Sequence, residues 1–224
     1  MGTDPRLELV CLERNMGQTA ALNIGVRHAS SPWLARMDAD DISSPERLET
    51  QWGFLELHPE IAVVGSWRVD IDEKGRTIRV FKAPTTPLAI KCYLIGSGDL
   101  SYWCISHPTV LMRRSALQEV GFYDETKSYL EGYPQDYDLW IRLSRQYMFA
   151  NIAQPLLKYR ILKNSESRQK TKRALVDRFE IMLENIKYYL PGLEKEESYS
   201  LADMLEFRVQ SSAKMGQRVF DIFD

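Results

Sequence analysis

Trp33-Leu34-Ala35-Arg36-Met37-Asp38-Ala39-Asp40-Asp41 is a short apolar run that stops abruptly in three carboxylates. Read as a buried strand over Trp33 to Met37, it delivers those acids at its carboxyl end, where open α/β sheets collect their ligands. Extended backbone puts Asp38 and Asp40 on one face. Two hard oxygen donors with no thiolate or imidazole nearby suit Mg2+ or Mn2+ shared with a substrate's phosphates. The spacing alone decides nothing, because Asp-x-Asp recurs at Asp70-Ile71-Asp72 and Asp136-Tyr137-Asp138. Asp70 and Asp72 run into Glu73-Lys74-Gly75 between two β-rich segments and read as solvated hairpin residues. Asp38 to Asp41 instead lead to a helix opening at Ser44-Pro45, with Ser as cap and Pro as first residue. The plain alternative, an Asx-type turn that favours the helix N-terminus, stays open at this point.

Upstream, Leu7 to Leu12 reads as a strand, Glu13 to Gly17 as a loop, and Gln18 to Ala29 as a helix. The helix has an apolar stripe of Ala21, Leu22, Gly25, Val26 and Ala29. A loop with Asn15 and Gly17 feeding a helix N-terminus can offer backbone N–H groups to a phosphate; equally, the small residues can simply let the helix lie close to the sheet. Strand, helix, strand is the unit of parallel sheets. Downstream, the helix Pro45 to Leu57 carries Leu48, Trp52 and Leu55 and stops at His58-Pro59. Ile61 to Val69 and Thr77 to Phe81 form a hairpin, so the sheet is mixed and mostly parallel, flanked by helices.

Further along, Pro87 to Ile95 is a short helix and Gly96 to Asp99 a connector. His107 to Arg113 enters a strand, and Arg114 to Val120 is a helix that Gly121 caps. Asp124 to Pro134, with Tyr129, Glu131, Gly132 and Tyr133, is a loop over a cleft. Gln135 opens a helix in which Asp136 is either a cap or a functional carboxylate. Residues 1–167 read as one α/β domain and 168–224 as a helical extension. There Arg168, Lys170, Lys172 and Arg173 precede Leu175, Phe179, Met182, Ile186 and Leu190 at helical spacing, and a second helix runs from about Leu201 to Phe223. Such helices pack on their own domain or meet an anionic membrane surface or polyanionic acceptor.

With 224 residues, 44% of them hydrophobic, the chain can bury one substantial core. Its 29 basic residues against 31 acidic ones give a net charge of −2, which argues against a nucleic-acid surface. Cys11, Cys92 and Cys104 lack metal-ligand spacing and read as reduced core residues of a cytosolic protein. No apolar run spans a membrane and no signal peptide is visible, so any membrane contact is expected to be peripheral, at the inner face.

Asn15-x-Gly17, Ala21-Leu22-Asn23-x-Gly25, Ala35 to Asp41 with Pro45 and Arg47, His107-Pro108-Thr109 and Asp136 to Trp140 together resemble the family-2 glycosyltransferases of the GT-A fold. The resemblance spans roughly residues 7 to 167, including Tyr159-Arg160 and the Ser165-x-Ser167 pair. It implies an inverting nucleotide-sugar transferase that builds a cell-surface polysaccharide or glycoconjugate. Its donor would be a nucleoside-diphosphate sugar and its acceptor a glycan or lipid-linked hydroxyl. By the same resemblance, Asp40 with Asp38 would hold the Mg2+ or Mn2+, and Asn15, Gly17, Asn23, Arg36 and Asp38 would bind the nucleotide sugar. Asp136 would be the base.

Two motifs depart from the family. Gln135-Asp136 stands where a Glu-Asp pair is usual, and Tyr159-Arg160-Ile161-Leu162 where Tyr-Arg-x-His is common. Strands ending in Pro-x-Tyr-Asn and Asp-Asp-Gly-Ser do not occur, so a fragment of a longer enzyme is the expectation, ahead of a half completed by another chain or an inactive relic. Such a relic would bind nucleotide or sugar without transfer. A nucleotidyltransferase is the rival from another reaction class, although the Gly- and Lys-rich phosphate loop it would need is not seen.

Overall fold

The computed structural model describes residues 4–96, 104–127, 134–162 and 172–207. In chain order its elements are α1 Gln18–His28, β1 Trp33–Ala35, β2 Ile42–Ser43, α2 Arg47–Leu57, β3 Ile61–Ile71, β4 Thr77–Phe81, α3 Pro87–Gly96 and β5 Leu111–Arg113. They continue with α4 Arg114–Glu119, α5 Gln135–Ser144, β6 Met148–Arg160, α6 Lys172–Tyr189 and α7 Lys195–Phe207. Short 3₁₀ turns lie at His107–Thr109 and Glu125–Lys127. The expected connector residues Ser97 to Asp99, the loop residues Tyr129 to Tyr133, Ser165, Ser167, Arg168 and Lys170 fall outside the described residues, as does the far end of the last helix.

β3 and β6 pair in parallel along nearly their whole length and form the spine of a mixed sheet in the order β1-β5-β3-β6-β2, with β4 also on β3. The other pairs are antiparallel, so the expected parallel character resides in that one long pair. Ala62, Val63 and Val64 are fully buried because both faces of β3 are covered. On one face Val63, Met112 and Phe149 pack with Ile90, Leu94, Leu117, Leu139 and Trp140 from α3, α4 and α5. On the other, Leu55 of α2 covers Ile61, Val64, Leu111 and Ala150.

The registers divide the sheet in two. β5 pairs with Val63 and Val64, in the amino half of β3, and β1 lies outside it. β4 pairs with Arg68 to Ile71, and β2 with Leu157 and Lys158, in the carboxyl half of the spine. Residues 36–41 therefore leave one edge of the first half and enter the opposite edge of the second.

Several expectations need correction. Leu7 to Leu12 forms no strand; Leu7 and Leu9 are about four-fifths exposed, since no described strand pairs with the outer edge of β1. For the same reason β1 is half-buried rather than buried, and it ends at Ala35. α1 turns Thr19, Ala20, Asn23 and Val26 inward, leaving Ala21 and Gly25 outside. In α2 the inward stripe is Arg47, Gln51 and Leu55, while Leu48 and Trp52 face out. The reason is hydrogen bonding: Arg47 donates to the carbonyls of Arg36 (2.8 Å) and Val110 (3.1 Å), and Gln51 to those of Val64 (3.0 Å) and Thr109 (2.8 Å). These carbonyls would otherwise be buried unpaired. Asp70 is fully buried between Arg68 (2.8 Å) and Arg79 (2.7 Å), not solvated.

α6 and α7 share a small core of Met182, Leu183, Ile186, Leu201 and Ala202, and Ile181 joins the main core. They pack on α3 and α5. Among the described residues no helix is long and apolar enough to cross a membrane.

A close approach in the spine gives a test of this packing. A Cβ built on Gly65 would stand 2.2 Å from Oδ1 of Asn151, whose amide nitrogen donates to Pro84 (2.7 Å) and Cys104 (2.8 Å). Asn151 is buried and anchored, so it cannot swing away. Gly65→Ala is expected to cost about 3 kcal/mol in urea unfolding, by overpacking and broken hydrogen bonds. Gly53→Ala, in open space on α2, should instead stabilise by about 1 kcal/mol.

Candidate active site

The carboxylates after Met37 do not continue the strand. The Arg36 N–H donates to Val110 O at 3.1 Å, and the Asp41 N–H closes back on Asp38 O at 3.3 Å, so 38–41 is a turn. Asp38 and Asp40 therefore do not share the face of an extended segment. Asp38 takes both arms of the Arg36 guanidinium, one at 2.7 Å and the other shorter. Arg36 is nearly buried, and its Nε has no partner among the described residues. Asp40 is exposed, and its carboxylate has no partner among the described residues.

Asp41, given no role in the sequence reading, points inward. Its Oδ1 accepts the Arg160 N–H at 2.8 Å, and its buried Oδ2 has no partner among the described residues. Burial pushes its carboxyl up to about 6; the Arg160 N–H opposes this, and the charges of Asp38 and Asp40 add to it. The turn is a concentration of hard oxygen donors short of positive charge, as a divalent cation site requires. The donor set is incomplete, however. Among the described residues no three metal-ligating side chains converge, and Asp38, expected to share the metal, is committed to Arg36.

Asp136 lies in the first turn of α5, half-buried, and accepts the Tyr137 N–H at 2.9 Å. It does not cap the helix: Pro134 is the N-cap residue and makes no side-chain capping bond. Burial raises its pKa, while the Tyr137 N–H and the charge of Arg36 lower it. Arg36 thus reaches the acidic turn directly and Asp136 through space. Beneath them His107 Nε2 and Tyr123 Oη lie 2.7 Å apart, with Trp140 edge-on to the imidazole. Burial holds His107 neutral and pushes the Tyr123 hydroxyl up.

The Asn15 side chain accepts the Gly17 N–H at 2.9 Å, and Gly17, at φ 84°, starts α1. Gln135 Nε2 donates to Gln18 Oε1 at 2.7 Å, which brings the amino ends of α1 and α5 together beside Asp136. Asn23 is buried, its amide donating to Tyr123 O (2.9 Å) and Glu125 Oε1 (2.6 Å) and accepting the Tyr123 N–H (3.0 Å). Both of its N–H donors are spent inside the protein. A shallow pocket of about 360 Å3 beside Asn23, Arg27, Glu125 and Arg142 contains none of Asp38, Asp40 and Asp136 in its lining.

Residues 2–121 match the family described as Glycosyl transferase family 2. An uncharacterized glycosyltransferase of Methanocaldococcus jannaschii is 35% identical over 159 residues, 70% of this chain and 52% of that protein. The amylovoran biosynthesis glycosyltransferase AmsE of Erwinia amylovora is 32% identical over 155 residues, 69% of this chain and 54% of that one. The chain thus spans about half the length of these curated relatives. The crystal structure of GalNAc-T7 with UDP, GalNAc and Mn2+ superposes with a TM-score of 0.53 at 13% identity, over 95% of this chain and 42% of that one. The likeness is one of fold, a mixed sheet between helices.

Proposed function

This chain belongs to glycosyl transferase family 2, and on that footing we propose that its protein moves a sugar from a nucleoside diphosphate to an acceptor hydroxyl, with inversion, in glycan synthesis. The observation that carries the reading is the reach of Arg36. Burial raises the pKa of both Asp41, in the acidic turn, and Asp136, and at both the charge of Arg36 opposes that rise. Leaving-group stabilisation and proton acceptance thereby share one electrostatic neighbourhood.

In the transfer the acceptor oxygen bonds to the anomeric carbon as the bond from that carbon to the diphosphate breaks, and the electron pair leaves with the phosphate. The acceptor's proton passes to the Asp136 carboxylate, whose pKa burial raises and Arg36 partly restrains. Attack on the face opposite the diphosphate inverts the anomeric centre. Asp40, exposed and unpaired, is the residue to hold a divalent cation, and that ion would offset charge on the departing diphosphate. Asp38 acts here through Arg36, whose guanidinium it holds with both oxygens. Asn15 and Gly17 stand at the joined amino ends of α1 and α5, where anionic groups are favoured. The acceptor is proposed to be a glycan or a lipid-linked hydroxyl, with 1–167 as the catalytic domain and 168–224 as its extension.

The test is donor hydrolysis with a panel of UDP-, GDP- and dTDP-sugars and Mn2+. Free nucleoside diphosphate should appear from at least one donor and stop on adding EDTA. Release from none, with or without acceptor, would leave a nucleotide- or sugar-binding relic. The family match already sets the nucleotidyltransferase reading aside.

A further inference from the structure

We propose that Arg160 is a positioning residue: it clamps the acidic turn to the tip of the β3–β4 hairpin and so fixes where the Asp40 carboxylate is presented. The proposal rests on the reading of Asp40 given above. Arg160 ends β6, and four bonds leave it. Its N–H donates to Asp41 Oδ1 (2.8 Å) and its Nε to Asp40 O (2.8 Å); one terminal nitrogen donates to both Asp72 O (3.2 Å) and Glu73 O (3.1 Å). Two bonds hold the turn and two hold the hairpin tip.

Both anchors are stiff. β6 pairs with β3 up to Arg160, and the Ile161 N–H donates onward to Ile71 O at 2.8 Å. The tip is tied by Asp72, whose carboxylate accepts the N–H of Lys74 (2.9 Å), the N–H of Arg76 (2.8 Å) and Arg76 Nε (2.7 Å). The turn itself is weakly held, its one internal backbone bond being Asp41 N–H to Asp38 O at 3.3 Å. Its shape is therefore imposed from outside, by a planar fork that donates in two directions at once. A lysine ammonium is a single point of donation without that rigid fork.

Arg160→Gln keeps the main-chain bond to Asp41 and removes the fork. In the unliganded protein, amide exchange over residues 38–42 should quicken by about tenfold, with the β3–β6 amides unchanged. Mn2+ affinity in the presence of nucleoside diphosphate, read by electron paramagnetic resonance, should weaken by about tenfold, with Arg160→Lys between. In donor hydrolysis the KM should rise more than kcat falls. Unchanged exchange at 38–42, or equal quickening throughout β6, would overturn the clamp. If Mn2+ binds neither wild type nor variant, the metal reading fails, while the exchange comparison still decides the clamp.

Discussion

Asp136→Asn is expected to lower the transfer rate by about 10²- to 10⁴-fold while leaving donor affinity within about twofold of wild type. The substitution is nearly isosteric, and the side-chain oxygen can still accept the Tyr137 N–H that Asp136 accepts at 2.9 Å. What it removes is the capacity to take a proton. Pro134, not Asp136, is the N-cap residue, so no capping bond is lost; the charge removed is favoured by the helix N-terminus and penalised by burial, and the melting temperature should move little. A pH profile adds a second signature. Burial holds the Asp136 carboxyl above its ordinary value of 3.8, and only the ionised form can accept the acceptor's proton. The wild-type rate should therefore fall as pH is lowered through that raised pKa, on a limb that the Asn variant lacks. A donor-affinity loss as large as the rate loss would show that Asp136 binds rather than reacts.

The sequence made the hairpin and most helices legible because punctuation agreed with periodicity. Gly75, at φ 81°, closes the β3–β4 turn and Gly121, at φ 83°, ends α4. β6 went unread as a strand because Asn151, Gln154 and Pro155 interrupt its apolar pattern. The structure accommodates them at a register shift, where Trp67 pairs with Pro155 directly after Ser66 pairs with Ile152. Apolar spacing also selected the wrong face of α2, since it ranks Leu48 and Trp52 above Arg47 and Gln51. Which face is buried was settled by carbonyls on Arg36, Val64, Thr109 and Val110, and a linear pattern cannot show that they lack donors. The burial of Asn23 was hidden likewise, because its partner Tyr123 lies 100 residues away. The acids of the turn were legible as a group but not in their division of labour. That division comes from Arg36 and Arg160, which reach the turn from outside it.

That division yields the second large effect: Asp40→Ala should weaken Mn2+-dependent donor binding by about 100-fold or more and leave the melting temperature unchanged. Of the three acids, Asp38 neutralises a nearly buried guanidinium and Asp41 is turned inward onto Arg160, so among the described residues only Asp40 is unpaired and facing solvent. Its loss leaves a cation nothing on the turn but groups already engaged. Asp38→Asn should behave differently: it strips Arg36 of its counter-charge and lowers stability as well as activity, because an unpaired buried charge is costly. Isothermal titration of nucleoside diphosphate with and without Mn2+, alongside thermal unfolding, separates the two. A ligand loses affinity without losing stability, and a structural acid loses both. Equal metal-dependent affinity in wild type and Asp40→Ala would remove Asp40 from the metal site. The cation would then have to be held by Asp41, which could ligate it through its unpartnered oxygen only by swinging out of the fold.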